Sequence, residues 1–219
     1  MRTRASQGPS APEHTGIDSR YRSKVGVSAI LLAAGAGSRF GGRKLLQPLA
    51  DGTPLGVAAL RNLRQAIDRV VVVVRDGDEE LATRFAMENA IVVTCKLAVD
   101  GMGHSLAAGV QAESGADGWV VALGDMPRVN ADTIRAVAKK LLTGAGIVVP
   151  TYRGERGHPV AFGSRFREEL LSLSGDTGAR ALLKLHADQV ARLDVDDPGV
   201  LQDVDTRSDL ARLTGVGLR

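Results

Sequence analysis

With 219 residues, 44% hydrophobic and 24% charged, and a net charge of +3, the chain has the size and balance of one globular domain with its own core. Aromatics at 3% restrict that core to aliphatic side chains, and no basic stripe interleaved with aromatics points to nucleic acid as a partner. One cysteine, Cys95, excludes an intrachain disulfide and fits a reducing, cytoplasmic compartment. No apolar run reaches the roughly 18 residues of a membrane span, and the N-terminus holds no signal-peptide core.

Residues 1–24 are polar and rich in Arg, Ser, Pro and Gly, which predicts a disordered leader before a domain over 25–219. A strand is expected over 25–32. Thr53 as N-cap and Pro54 at the first helical position open a helix over 53–66, with Leu55, Ala59, Leu63 and Ala66 at helical spacing. The valine run of 69–74 is too short for a helix and reads as a buried strand. Helices are predicted over 78–88, 105–112 and 130–142, the last between Asn130 as cap and Gly144 as stop. Strands are predicted over 90–94, 118–123 and 147–149, the last ending at Pro150. Strands apolar throughout and alternating with helices imply an α/β fold: a mostly parallel sheet covered on both faces. Residues 151–187, with five glycines, break the alternation. They read as an insertion of turns and two short helices, either a lid or acceptor region or a plain connection.

Functional loops in such a fold lie at the C-terminal ends of the strands. The first strand empties into Ala33-Ala34-Gly35-Ala36-Gly37-Ser38-Arg39-Phe40-Gly41-Gly42-Arg43-Lys44. Glycines let backbone N–H groups approach phosphate oxygens, and Arg39 and Lys44 add fixed positive charge. The loop is neither of two better-known phosphate loops. Leu45 follows Lys44 where a Walker loop needs Ser or Thr, and Phe40 stands at the third glycine of the dinucleotide fingerprint.

Asp125, in Gly124-Asp125-Met126-Pro127, sits at a strand end where a carboxylate holds Mg²⁺ or, alternatively, caps the next helix. Asp205, in Asp203-Val204-Asp205-Thr206, offers the same two readings, with capping of the final helix the stronger rival. His158 lies in Arg156-Gly157-His158-Pro159-Val160, and no His/Cys cluster has zinc spacing. Gly175-Asp176-Thr177-Gly178-Ala179-Arg180 opens a helix, as an anion site or a capped turn.

Together with Gly101-Met102-Gly103-His104-Ser105-Leu106, these motifs resemble the MobA-like nucleotidyltransferases, most closely their molybdenum cofactor cytidylyltransferase branch. The resemblance spans nearly all of 25–213. It implies a three-layer Rossmann-like domain of the nucleotide-diphospho-sugar transferase type, transferring a nucleoside monophosphate with loss of pyrophosphate. Arg39, Lys44 and Asp125 would be catalytic, with Asp125 and Asp205 on Mg²⁺. Leu32, Ala33, Ala34, Gly35, Gly37, Ser38, Gly103 and Ser105 would line the nucleotide, the last two near the base. His158, Gly175, Asp176 and Arg180 would border a molybdopterin acceptor. Ala34 resembles the cytidylyl enzymes, since guanylyl relatives more often carry Gly there; this favours CTP. A molybdenum oxidoreductase would receive the product. Cys95-Lys96 stand where the family carries Asn-Pro, and the leader has no counterpart. Two rival readings are a guanylyl or other nucleotidyl transfer to a different phosphorylated acceptor, and a non-catalytic cofactor-binding accessory protein.

Overall fold

The computed structural model describes residues 26–215; the expected leader lies outside them. Four parallel strands form one half of an eight-stranded sheet: β1 (Val27–Leu32), β2 (Val70–Arg75), β3 (Ile91–Cys95) and β4 (Gly118–Leu123), in the order β3-β2-β1-β4. The other half is mixed. β7 (Val160–Gly163) runs antiparallel between β4 and β5 (Ile147–Tyr152); β6 (Glu155–Arg156) pairs antiparallel and β8 (Val190–Asp194) parallel with β5.

The helices are α1 (Leu55–Ala66), α2 (Glu79–Met87), α3 (Met102–Ala112), α4 (Ala131–Leu142), α5 (Arg167–Leu171), α6 (Arg180–Leu185) and α7 (Arg207–Thr214). Side chains alternate across a strand, so each strand feeds two cores. Ala29 and Leu31 of β1, with Val70, Val72 and Val74 of β2, pack under α1, α2 and α4. Ile30, Val71 and Val73 pack on the opposite face with Leu106 and Val110 of α3 and with Trp119, Phe162 and Leu170. Burial on both faces is why β2 reads as unbroken valine. No described helix is long and apolar enough to cross a membrane.

Most predicted elements are present within a few residues, and the departures have local causes. Thr53 does not cap α1: its N–H and Oγ1 both donate to Asp51 in a preceding turn, and Pro54 takes the cap position. α3 starts three residues early, at Met102, because Gly103, His104 and Ser105 in its first turn give no apolar helical period. β5 runs through Pro150 to Tyr152. Its pairing with β7 ends at Val148, so the missing amide costs that ladder nothing.

The region read as an insertion supplies β6 and β7 to the sheet as well as two short helices. Neither β7, at four residues, nor β8 is long or patterned enough to stand out in the sequence. Asn130 stands at the α4 cap position without a side-chain capping bond. A distant carboxylate serves instead: Asp197 Oδ2 accepts from the Asn130 N–H (2.9 Å) and the Thr133 hydroxyl (2.7 Å).

Chain order reverses direction at β1: the chain moves to β2 and β3 on one side, then crosses to β4 on the other. The crevice beyond the ends of β1 and β4 is the switch point where such sheets bind ligands. Leu32 and Leu123 are in register there, and the Gly124 N–H donates to the Leu32 carbonyl (3.0 Å).

Candidate active site

The loop after β1 is held open by its own backbone. Gly37, at φ 59°, turns its carbonyl to accept N–H groups from Phe40, Gly41 and Gly42 at 3.0–3.1 Å. Phe40 is buried and pins the loop to the core, with the Arg207 guanidinium 5.3 Å above its ring. A short helical turn, Lys44–Leu46, then buries Leu45, which leaves Lys44 aimed into the crevice.

There Lys44 Nζ lies 2.7 Å from Asp125 Oδ2 and 3.5 Å from Asp205 Oδ1. Arg39 reaches the other oxygen of Asp205, 2.8 Å from Oδ2. The Lys44 side chain is 12% exposed, those of Asp125 and Asp205 22% and 28%. These charges are thus half-sheltered, where they interact more strongly than in bulk water. The Asp125 carbonyl accepts from the Val204 N–H (3.0 Å), which ties the two carboxylate-bearing segments together. Asp205 does not cap α7: Thr206 does, in a capping box with Asp209. Asp125 likewise makes no bond to α4, whose end Asp197 serves.

Asp203, exposed and two residues before Asp205, lies within electrostatic reach of this cluster. Burial first, then the negative charges of Asp205 and Asp125, push its carboxyl above the usual range. Among the described residues no group of three or more His, Cys, Asp or Glu is arranged to hold a metal. Asp125 Oδ1, however, is buried without any hydrogen-bond partner, an expensive state for a carboxylate oxygen. An unsatisfied hard oxygen beside a second carboxylate fits a divalent cation that keeps water and phosphate oxygens for its other ligands.

A cavity of about 450 Å³ opens between the loop and the start of α2, lined in part by Ala33, Gly35, Lys44, Arg75, Asp76 and Asp78. Arg75 donates to the Ala34 carbonyl (3.2 Å) and so braces the loop from β2. Neither Arg75 nor Arg207 carries a motif signal; each is found only through its contact with the loop. Leu32, Ala33 and Ala34 lead into the crevice with the two alanines buried, while Gly35 and Ser38 are exposed.

His158 sits beneath the crevice. Its N–H donates to the Val200 carbonyl (2.9 Å), its peptide bond to Pro159 is cis, and Nδ1 is buried without a partner. Burial holds its pKa below the ordinary value, Asp125 opposes that shift and Arg180 adds to it. His158 therefore stands within electrostatic reach of both Asp125 and Arg180. Asp176 and Arg180 are exposed on the 175–180 turn. Gly103 and Ser105 are not part of the Lys44–Asp125–Asp205 cluster. Ser105 is buried on α3, and Gly103 abuts the backbone of Ser174.

The MobA-like NTP transferase domain matches residues 29–191. Among curated relatives, the purine catabolism protein PucB of Bacillus subtilis is 36% identical over 81% of this chain and 90% of its own. Nicotine blue oxidoreductase of Paenarthrobacter nicotinovorans is 32% identical over 85% and 96%. Molybdenum cofactor cytidylyltransferase of Escherichia coli is 26% identical over 84% and 93%. Among solved structures, Rv0371c of Mycobacterium tuberculosis superposes with a TM-score of 0.77 at 31% identity, covering 87% of this chain and 98% of that one. Its complex with manganese gives 0.73 at 29%, over 88% and 100%.

Proposed function

The chain belongs to the MobA-like NTP transferase family, and on that premise we propose that it transfers CMP from CTP to a molybdopterin-type acceptor. The reading places the protein in the cytoplasm, with Mg²⁺ as its cation and a molybdenum oxidoreductase as the destination of the product. The observation that carries it is the cluster at the switch point: Lys44 Nζ between Asp125 and Asp205, Arg39 on Asp205, and Asp125 Oδ1 without a partner. The name of the Escherichia coli relative and the alanine at position 34 support the choice of base. The manganese complex of the mycobacterial relative supports a divalent cation.

Under this reading the arriving triphosphate competes with Asp125 and Asp205 for Lys44 and Arg39, and the two cations grip it. Asp125 and Asp205 would hold the metal, which when bound supplies positive charge against the phosphate oxygens. A phosphate oxygen of the acceptor attacks the α-phosphorus. The new P–O bond forms as the bond to the β-phosphate breaks, and pyrophosphate departs. No protein nucleophile takes part, so the chain contributes positioning and charge. His158, held neutral by burial, lines the acceptor side with Arg180 and the 175–180 turn.

The test is pyrophosphate release with CTP, GTP or ATP, molybdopterin and Mg²⁺. Release with CTP is expected. Preference for GTP overturns the base assignment, and tight molybdopterin binding with no release from any triphosphate makes the protein an accessory carrier. A second reading keeps the transfer but changes the phosphorylated acceptor. It draws on the two relatives of higher identity, whose names are a purine catabolism protein and an oxidoreductase. Release that requires an acceptor other than molybdopterin would favour it.

A further inference from the structure

We propose that Gly101 and Gly103 are positioning residues for the acceptor turn: the first turn of α3 is the seat on which residues 174–178 rest. This rests on the acceptor reading of that turn given above, and it moves Gly103 from the nucleotide's side to the acceptor's.

The contact is backbone on backbone. A Cβ on Gly103 would lie 2.8 Å from the N, C and O atoms of Ser174. A Cβ on Gly101 would lie 2.1 Å from the Gly175 carbonyl carbon, 2.3 Å from its oxygen and 2.5 Å from the Asp176 nitrogen. None of these atoms belongs to a flexible side chain that can swing aside, so any side chain at either position displaces the turn itself. Gly101 also sits at φ 132°, ψ 165°, a conformation that L side chains rarely adopt. Between the two glycines, Met102 passes over the same turn, its Sδ 3.8 Å from where a Gly178 Cβ would stand.

The turn leads directly into α6, which begins with Arg180 and buries Leu182 in the same core as Leu106 and Val110 of α3. The charge of Arg180 is felt at His158, and His158 also feels Asp125. Because the turn runs straight into Arg180, the seat fixes where that charge stands at the start of α6. The direction a Gly103 side chain would take is filled by Ser174 backbone.

Three readouts on the full-length chain test this. In Gly103→Ala, amide exchange should quicken over 174–181 while β1, β2 and β4 keep their protection. The KM for molybdopterin should rise about tenfold or more, while the dissociation constant for CTP with Mg²⁺, measured without acceptor, stays within about threefold. Met102→Ala alters a half-exposed side chain, so it folds regardless, and should shift the same readouts in the same direction by about threefold. A tenfold weaker grip on CTP with an unchanged acceptor KM would return Gly103 to the nucleotide and overturn the proposal. If the wild-type protein does not use molybdopterin, the function proposed above fails. The seat is then judged on exchange alone, and unchanged exchange over 174–181 in both variants overturns it.

Discussion

The two ends of the central sheet carry charge in opposite ways. At the end where β1 and β4 begin, Glu113 is almost fully buried and almost fully satisfied. Its carboxylate accepts from Arg69 Nε (2.8 Å) and Nη2 (2.7 Å) and from the Ser28 hydroxyl (2.9 Å). At the end where β1 and β4 finish, Asp125 keeps a buried oxygen with no partner, and Asp203 is pushed up by burial and its acidic neighbours. A buried charge that has all its hydrogen bonds holds a fold together. One left short of partners, beside a glycine loop, is poised for a ligand.

The largest expected effect lies at the unsatisfied end. Lys44→Ala and Asp125→Ala should each cut turnover by about 10²–10³, the cost of losing one well-placed charge in a transfer site, roughly 3–4 kcal/mol of barrier. Both proteins should still melt cooperatively. Near-normal turnover in either would remove that residue from the chemistry and break the contrast.

Next comes the satisfied end. Glu113→Ala should destabilise the protein by about 2 kcal/mol in urea titration, because the Ser28 hydroxyl is left buried without its acceptor. Arg69 is 60% exposed and returns to water, so it adds little. Turnover should not change.

The same carboxylate sets a pH signature. Hydrogen bonds from Arg69 hold Glu113 below its ordinary value against burial, with Ser28 assisting. Its folded pKa is thus below its unfolded one. The stability it contributes is fully present above the unfolded value, about 4.3, and is lost as pH falls through the folded value. Glu113→Gln should flatten the acid limb of the stability profile in that window. Identical limbs in the two proteins would mean that the pair contributes nothing.

The smallest effect sharpens the contrast from within the active end. Thr206 lies next to Asp205 but belongs to a complete capping box. Thr206→Ala should cost about 1 kcal/mol of stability, as an ordinary helix cap does. A loss several times larger would show that α7 is held chiefly by that box.

What the sequence disclosed follows the range of each interaction. β2 was legible as a strand because five valines buried on both faces leave no other reading. The glycine loop and Asp125 were legible because they lie at strand ends, where an α/β sheet gathers its ligands. Asp205 was legible only as a choice between metal and cap; the neighbouring Thr206–Asp209 box takes the cap role from it. Where a residue's role is set by a partner far along the chain, local pattern gives no warning. Asn130 is the sequence's cap for α4, yet Asp197 does the work. Gly103 resembles part of a nucleotide motif, yet Ser174 lies against it. β7 is four residues long, and its place between β4 and β5 is a matter of tertiary pairing alone.

Lys44 and Asp205 stand 161 residues apart in the chain. During synthesis, at about 5–20 residues per second, the glycine loop emerges on the order of ten seconds before its carboxylate partner. For about the first half of that interval Lys44 has neither carboxylate; for the rest it has Asp125 alone, and Arg39 still lacks Asp205. A nascent or truncated chain ending before Asp197 would therefore carry the strands of the central sheet and the phosphate loop without the carboxylate that Lys44 and Arg39 share. The arrival of the Asp203–Asp205 segment then gives Arg39 and Lys44 their shared carboxylate, so the charge balance of the loop is set by a part of the chain made long after it.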